Sequence, residues 1–563
     1  MQQTSSPKSQ QQQTERPLET LLGLLTSRTP GVLEELKTTI HALRSENEKL
    51  RVEATEYKAS YLVLLEANRK LELGLIGQKR ERFKTNEAQN VFKEMFEALG
   101  LTAPHHRLEE NGAAGAPPPP EKKEKKKRKA PTGKRPLPKD MPRIEVTVVP
   151  PEVEAQGTDN FIRIGVDTKE SIEKRIGGFV SLTTHRVKFV PKNKAETYEG
   201  KPVLQADALP MPVPKADVGP ALLAESIVER FGHHMPLYRL EKKYDEEGFF
   251  IARSTISGWH FAAAEVVKPL VDEMWREALL SQILLTDATG VRVLELQQCR
   301  NAHFFVVIQP EKHVLFSYAE KHNKETIDDI LKDFNGYLVR DAHSIYLHFE
   351  EAEEITGVGC WSHVRRYVFK SLSTDPPRAT WMLTQLQKLF AIERAIEKLR
   401  PAGKRARRQL DSKPLIEEFF AYCEKHIDLV VDSTPISKAI HYALNQRVIL
   451  ERFLEDGRLP FTNNASEGAL RRLAVGRKNW LFLGSDAAGD VNATFSSLLA
   501  SCEMHKVRPL RYLRDIFCLM AVWPKDELLQ LAPAYWAETS KLPATQALLH
   551  QNPYWLATKD ENF

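Results

Sequence analysis

Three acidic residues could carry metal-dependent phosphodiester chemistry. Asp287 closes the apolar run Ile283-Leu-Leu-Thr-Asp287, and Asp341 closes Gly336-Tyr-Leu-Val-Arg-Asp341. Glu467 stands in Thr462-Asn-Asn-Ala-Ser-Glu-Gly-Ala-Leu-Arg471, followed by Arg472, Arg477 and Lys478. Three carboxylates converging from two strands and a helix can hold two divalent cations about 4 Å apart. Hard oxygen ligands select Mg²⁺ or Mn²⁺. One ion can activate a water or a nucleotide 3′-hydroxyl while the other stabilises the leaving oxygen. A carboxylate among cations suits a site that holds metal and phosphate together. Each acid also has a plainer reading. An Asp at a strand end often sits in a turn, and Glu467 follows Asn464 by three residues, the spacing of a capping box.

The elements that must position these acids are legible as a pattern. After a helix over Pro269 to Leu280 come three short apolar runs: Ile283 to Leu294, His303 to Ile308 and His313 to Tyr318. Their succession predicts an antiparallel meander. A helix over Thr326 to Phe334 follows, then a strand ending at Asp341, a short helix over Ala342 to Phe349, a strand over Ile355 to Cys360 and a helix over Trp361 to Leu372. The order β-β-β-α-β-α-β-α is that of a ribonuclease H-like fold. It puts Asp287 on the first strand, Asp341 at the end of its neighbour and Glu467 on a late helix covering that edge. Residues from about 375 to 458 read as a helical insertion in a core spanning 279–500, and 501–563 as a C-terminal helical segment.

The fold class predicted for the whole chain is multidomain α+β. Residues 1–30, rich in Gln, Ser, Thr and Pro, are expected to be disordered. Leu33, Ile40, Asn47, Ala54, Tyr61, Asn68 and Leu75 recur every seven residues, with Leu36, Leu43, Leu50, Tyr57, Leu64 and Leu71 as a second series. This predicts a coiled coil within 31–100, joining a homodimer or higher oligomer, with Asn47 and Asn68 fixing register. Residues 101–142 form a linker with the run Lys122-Lys-Glu-Lys-Lys-Lys-Arg-Lys129, either a solvated tether or a nonspecific phosphate contact. Residues 143–213 alternate apolar and polar residues as a small β-rich domain. Residues 214–278 read as helices: Ala221 to Phe231, Leu237 to Tyr244, and a third opening with Ser254 as its cap. Such a helix-turn-helix would present Arg253, Ser254, Thr255 and Ser257 to DNA, though an ordinary helical hairpin has the same spacing.

Composition narrows the class. Net charge is +5, and hydrophobic content is 42%. No apolar run approaches the length of a membrane span, and the N-terminus has no signal-peptide core. Cys299, Cys360, Cys423, Cys502 and Cys518 are scattered without a C-x-x-C pair, which argues against a cysteine zinc site and a disulfide framework.

Several blocks together resemble the transposases of the insertion sequence 66 type, of the Asp-Asp-Glu class. They are Thr462 to Arg471, Gly476-Arg-Lys-Asn-Trp-Leu-Phe-Leu-Gly-Ser485, Gly359-Cys-Trp-Ser-His-Val-Arg-Arg366, Phe334 to Asp341, Leu444-Asn-Gln446, Phe453 to Pro460 and Tyr512-Leu-Arg-Asp515. The resemblance implies that Asp287, Asp341 and Glu467 are the catalytic, metal-binding acids, with Mg²⁺ or Mn²⁺, two ions, as cofactor. It makes His363 and Arg365 site neighbours, and Arg471, Arg477, Lys478 and Asn479 contacts to DNA phosphates. Trp480 and Phe482 are expected in the core. Three departures stand out. The stretch Pro150 to Gly165 lacks the paired cysteines common in the family, so no zinc is expected. Asp287 lies in Thr286-Asp-Ala-Thr289 rather than Ala-Asp-Glu-Thr, and Asp341 precedes Ala342-His343-Ser344 rather than Gly-Tyr.

The implied activity is DNA strand cleavage and transfer at the ends of an insertion sequence. The partners are element-end and target DNA and, as the resemblance suggests, small accessory proteins. No membrane partner is expected, and the compartment is the bacterial cytoplasm, with the nucleoid when bound to DNA. The alternative is a catalytically decayed or repurposed relative that binds DNA without cutting it. A structure-specific nuclease of the same fold ranks lower.

Overall fold

The computed structural model of the protein describes residues 38–49, 137, 141–175, 178–192, 203–213, 216–295, 298–350 and 355–558. Residues 1–128 with 375–384 form one compact unit, and 129–374 with 385–563 another. In the first, residues 38–49 form one helix, mostly exposed. The other heptads of the predicted coiled coil, the segment before residue 31 and the basic run 122–129 lie outside the described residues.

The second unit is mixed α+β with two mixed sheets. Strands β1 (Arg143–Val148), β2 (Phe161–Arg175), β3 (Gly178–Pro191) and β4 (Leu204–Gln205) form the first, in the order β1-β3-β2 with β4 also on β3. Phe161, Val187, Phe189 and Leu204 of this sheet bury one small core with Val153, while Ile172 and Phe179 join the main core.

Three helices follow: α1 (Pro220–Ile227), α2 (Leu237–Glu246) and α3 (Arg253–Leu279). α1 runs into a wide π-turn over Val228–Gly232. Two expectations need correction. α3 starts at Arg253, not after a Ser254 cap: Ala252 precedes it, and the Arg253 N–H donates to Glu241 Oε1 of α2 at 2.9 Å. A neighbouring helix thus satisfies one of the free donors at the helix start. The helix read over Pro269 to Leu280 is also not a separate element: α3 runs 27 residues through that proline. Ile256, Trp259, Ala263, Val267, Leu270, Val271 and Met274 bury a stripe at helical spacing. Burial of that stripe outweighs a proline cost of about 3 kcal/mol.

The second sheet comprises β5 (Ile283–Leu294), β6 (Cys299–Gln309), β7 (His313–Ala319), β8 (Gly336–Val339) and β9 (Ile355–Val358), ordered β7-β6-β5-β8-β9. β5, β6 and β7 are the predicted antiparallel meander, while β8 pairs parallel with both β5 and β9. α4 (Lys324–Ile330) joins β7 to β8, with Asn323 Oδ1 accepting from the Thr326 N–H at 3.2 Å. The short helix predicted over 342–349 is a 3₁₀ segment, Ser344–Glu350. α5 (Trp361–Lys370) follows β9, and helices then fill the stretch to Leu454. α6 (Asn464–Trp480), α7 (Asp486–Met504) and α8 (Pro509–Leu519) complete the layer.

α7 protects the edge strand β7. The N–H of Phe316 donates to Ser497 Oγ at 2.8 Å and that of Val314 to Ser501 Oγ at 3.0 Å. An open row of strand donors is thereby closed. Leu284, Phe305, Val307, Leu315 and Leu338 of the sheet share one core with Val267, Leu270 and Met274 of α3 and Phe495 and Leu498 of α7. A second aromatic cluster anchors α5: Trp361 is fully buried, stacks on Phe461 with centroids 5.8 Å apart, and donates Nε1–H to Leu450 O at 2.9 Å.

Candidate active site

Register brings the two aspartates together. β5 and β8 pair parallel with Ile283 beside Tyr337, Leu284 beside Leu338 and Leu285 beside Val339. Two residues beyond the last of these pairs lie Asp287, still within β5, and Asp341, past the end of β8. β8 stops at Val339, short of the predicted end at Asp341, although the Arg340 N–H still reaches Val358 O at 3.0 Å.

Glu467 does not close a capping box. α6 begins at Asn464, and the residue before it, Asn463, occupies the cap position; its carbonyl accepts from the Glu467 N–H at 3.3 Å, but its side chain caps no N–H of the helix. Its Nδ2 donates instead to the carbonyl of Thr286 at 2.8 Å, one residue past the last β5–β8 pair. Its backbone N–H donates to Cys360 Sγ at 3.1 Å. A fully buried Asn463 therefore pins the start of α6 to β5 beside Asp287 and to the start of α5. At the far end of α6, Arg477 donates to Thr289 Oγ1 at 2.9 Å and to the Gly290 carbonyl. The helix is clamped to β5 on both sides of Asp287.

One turn into α6, Glu467 faces α5. Arg366 Nη2 donates to its two carboxylate oxygens at 2.8 and 2.7 Å. His363 Nε2 lies 3.7 Å from Oε1. Asp287 senses the same group of charges. Burial raises its carboxyl to about 6, the charges of Asp341 and Glu467 push the same way, and the Ala288 N–H and Arg366 oppose them. Burial and then Arg366 hold the His363 imidazole below its ordinary value, against Glu467 and Asp341. The two aspartates, Glu467, His363 and Arg366 thus share one electrostatic neighbourhood.

The donor set fits a hard divalent cation. Three carboxylates offer only oxygens, and the repulsion that Asp287 feels from Asp341 and Glu467 is what a dication relieves. No group of three His, Cys, Asp or Glu among the described residues stands close enough to share an ion. Glu467 is engaged by Arg366 instead.

The other predicted site residues divide. Arg253, Ser254 and Thr255 are exposed on the first turn of α3 and Ser257 is half-buried. Arg471, Lys478 and Asn479 are exposed on α6, whereas Arg477 is committed to β5. Arg365 makes no polar contact among the described residues, and its neighbour Arg366 meets Glu467. The periodicity of α5 could have singled out Arg366, which lies three residues after His363 and so on its face. Asn463 carried no comparable signal, because its partner is remote in sequence. Phe482 is not in the core: it is 39% exposed. The chain leaves α6 through a left-handed Leu481 (φ 66), and Leu483 then pairs with Arg292 and Leu294 of β5. Alternation buries Leu483 and turns Phe482 outward.

Comparison with known proteins bears directly on this site. Residues 215–491, which include all three acids, match the family described as Transposase IS66 family. Over this span the chain is similar to the IS66 transposase family. The chain is also similar to two curated proteins of Sinorhizobium fredii. It is 26% identical to Uncharacterized protein y4hP over 440 residues, covering 73% of this chain and 78% of that one. It is 27% identical to Uncharacterized protein y4qI over 427 residues, covering 72% and 78%. Among the described residues, no helix is long and apolar enough to cross a membrane.

Proposed function

We propose that the chain is a DNA transposase of the Asp-Asp-Glu class, cleaving and joining strands at the ends of an insertion sequence. The observation that supports this reading is that Asp287 and Asp341 each follow the paired ends of β5 and β8 by two residues, while Asn463 pins the start of α6, the helix of Glu467, to β5 beside Asp287. The strand order β7-β6-β5-β8-β9 supports a ribonuclease H-like core. Asp287, Asp341 and Glu467 would hold two Mg²⁺ or Mn²⁺ ions. When bound, these would activate the attacking hydroxyl and stabilise the leaving oxygen. In this reading Arg366 releases Glu467 and turns to the scissile phosphate, and half-buried His363 narrows the access of water. Arg471, Lys478 and Asn479 engage DNA phosphates, and Arg253, Ser254, Thr255 and Ser257 form the DNA-facing end of a helix-turn-helix. The predicted coiled coil joins protomers, and small accessory proteins act as partners in the cytoplasm and nucleoid.

The Arg366–Glu467 pair favours a second reading, a relative that binds DNA without cutting it. Cleavage and joining of a DNA fragment carrying the element's end, with Mg²⁺ and with EDTA, separates the two. Mg²⁺-dependent products from the native chain and none from Glu467→Gln support the transposase. Specific DNA binding by both proteins, without products from either, supports the binding protein.

A further inference from the structure

A cavity of about 630 Å³ opens between α5 and the helix Pro435–Asn445. Its volume lies within the range of about 300–1,000 Å³ typical of small-ligand sites. Tyr367 and Tyr442 line it as a stacked pair, with ring centroids 4.5 Å apart and planes 24° from parallel. Both rings are half-buried, so the pair presents a preformed aromatic face rather than a closed core contact. Exposed Lys438, His441 and Asp432 line it as well, and the side chains of Lys438 and His441 make no hydrogen bond or ion pair among the described residues. Lys370 sits 5.5 Å from the Tyr367 ring centre.

The cavity shares α5 with the acids: Tyr367, on its wall, directly follows Arg366, which holds Glu467. An aromatic face with ammonium groups at its rim, reached from a phosphodiester site, matches one ligand chemistry. That chemistry is an unpaired nucleotide, its base on the ring and its phosphate on the lysine.

We propose that Tyr367, Tyr442 and Lys438 form a subsite that stacks an unpaired base of the DNA strand next to the catalytic acids. This rests on the DNA-transposase reading. It adds that the strand is held locally unpaired, so a single-stranded segment with its bases binds better than the same backbone without them.

The test uses the full chain and three probes: a duplex, a single-stranded oligothymidylate, and an abasic strand of equal length. The native protein should bind the oligothymidylate about tenfold more tightly than the abasic strand. Tyr442→Leu should abolish that preference with duplex affinity unchanged, and Tyr442→Phe should retain it. Lys438→Gln, at an exposed position, should weaken both strands alike and lower the salt dependence by about one counterion. Should Tyr442→Leu not fold, a strand carrying 5-iodouracil should crosslink under light to Tyr367 or Tyr442 of the native chain. Duplex binding with equal affinity for the two strands, or crosslinks only elsewhere, overturns the subsite and leaves the transposase reading standing. Failure to bind any of the three probes overturns both.

Discussion

Arg366 and Glu467, 101 residues apart in the chain, meet as a bifurcated pair in which one guanidinium nitrogen reaches both carboxylate oxygens at 2.8 and 2.7 Å. The pair occupies the acid that a metal would need. It is also solvent-accessible, with the two side chains 48% and 28% exposed, so it is worth no more than about 1 kcal/mol. A contact that weak can be exchanged for a dication.

Arg366→Gln should therefore tighten Mn²⁺ binding by a few fold, up to about fivefold for 1 kcal/mol, as read by titration calorimetry. Glu467→Gln should weaken it. Unchanged or weaker Mn²⁺ affinity in Arg366→Gln would show that the arginine does not compete with metal.

Asn463 is the joint between α6 and β5. Asn463→Ala leaves the Thr286 carbonyl without this donor at a fully buried position, and should cost about 1–3 kcal/mol. The denaturation midpoint in urea should fall accordingly, and Mn²⁺ affinity should fall with it because Glu467 is no longer aimed. A normal midpoint with normal metal binding would remove Asn463 from the argument.

Gly476 explains part of the motif around Trp480. A Cβ at this position would lie 2.8 Å from Trp480 Nε1 and 3.2 Å from His234 Nδ1. Gly476→Ala should destabilise by about 1–3 kcal/mol, the range of an overpacked site, and tryptophan fluorescence should shift as the ring is displaced. Native stability and an unshifted spectrum would contradict the close packing.

Glu173 should make stability depend on pH. It is fully buried at the start of α1, accepting from the N–H groups of Ala221 and Leu222 at 3.1 Å each, and burial raises its carboxyl to about 8. A group raised in the folded state contributes stability that is fully present below its unfolded value near 4.5. That contribution is lost as pH rises through about 8. Thermal melts of the native chain should thus decline between pH 5 and pH 9 more steeply than those of Glu173→Gln. Parallel slopes would show that Glu173 does not titrate in this window.

Local pattern determined a large part of this protein. Period-two alternation marked β1 and β3, and the three-strand meander followed from the closeness of its apolar runs. The ends of two apolar runs named Asp287 and Asp341, although β5 continues past Asp287 to Leu294 and β8 stops before Asp341. Tertiary structure decided the rest. Pro269 reads as the start of a helix in sequence, yet a buried stripe on both sides carries α3 through it. Asn464 and Glu467 have the spacing of a capping box, yet Thr286, 177 residues from Asn463, takes the side chain at the helix start. Arg365 and Arg366 are equivalent in composition, and only the rotation of α5 about its buried Trp361 decides which one meets Glu467. In each case the deciding partner is distant in the chain, and the free energy of burying or bonding it exceeds the local preference that the sequence displays.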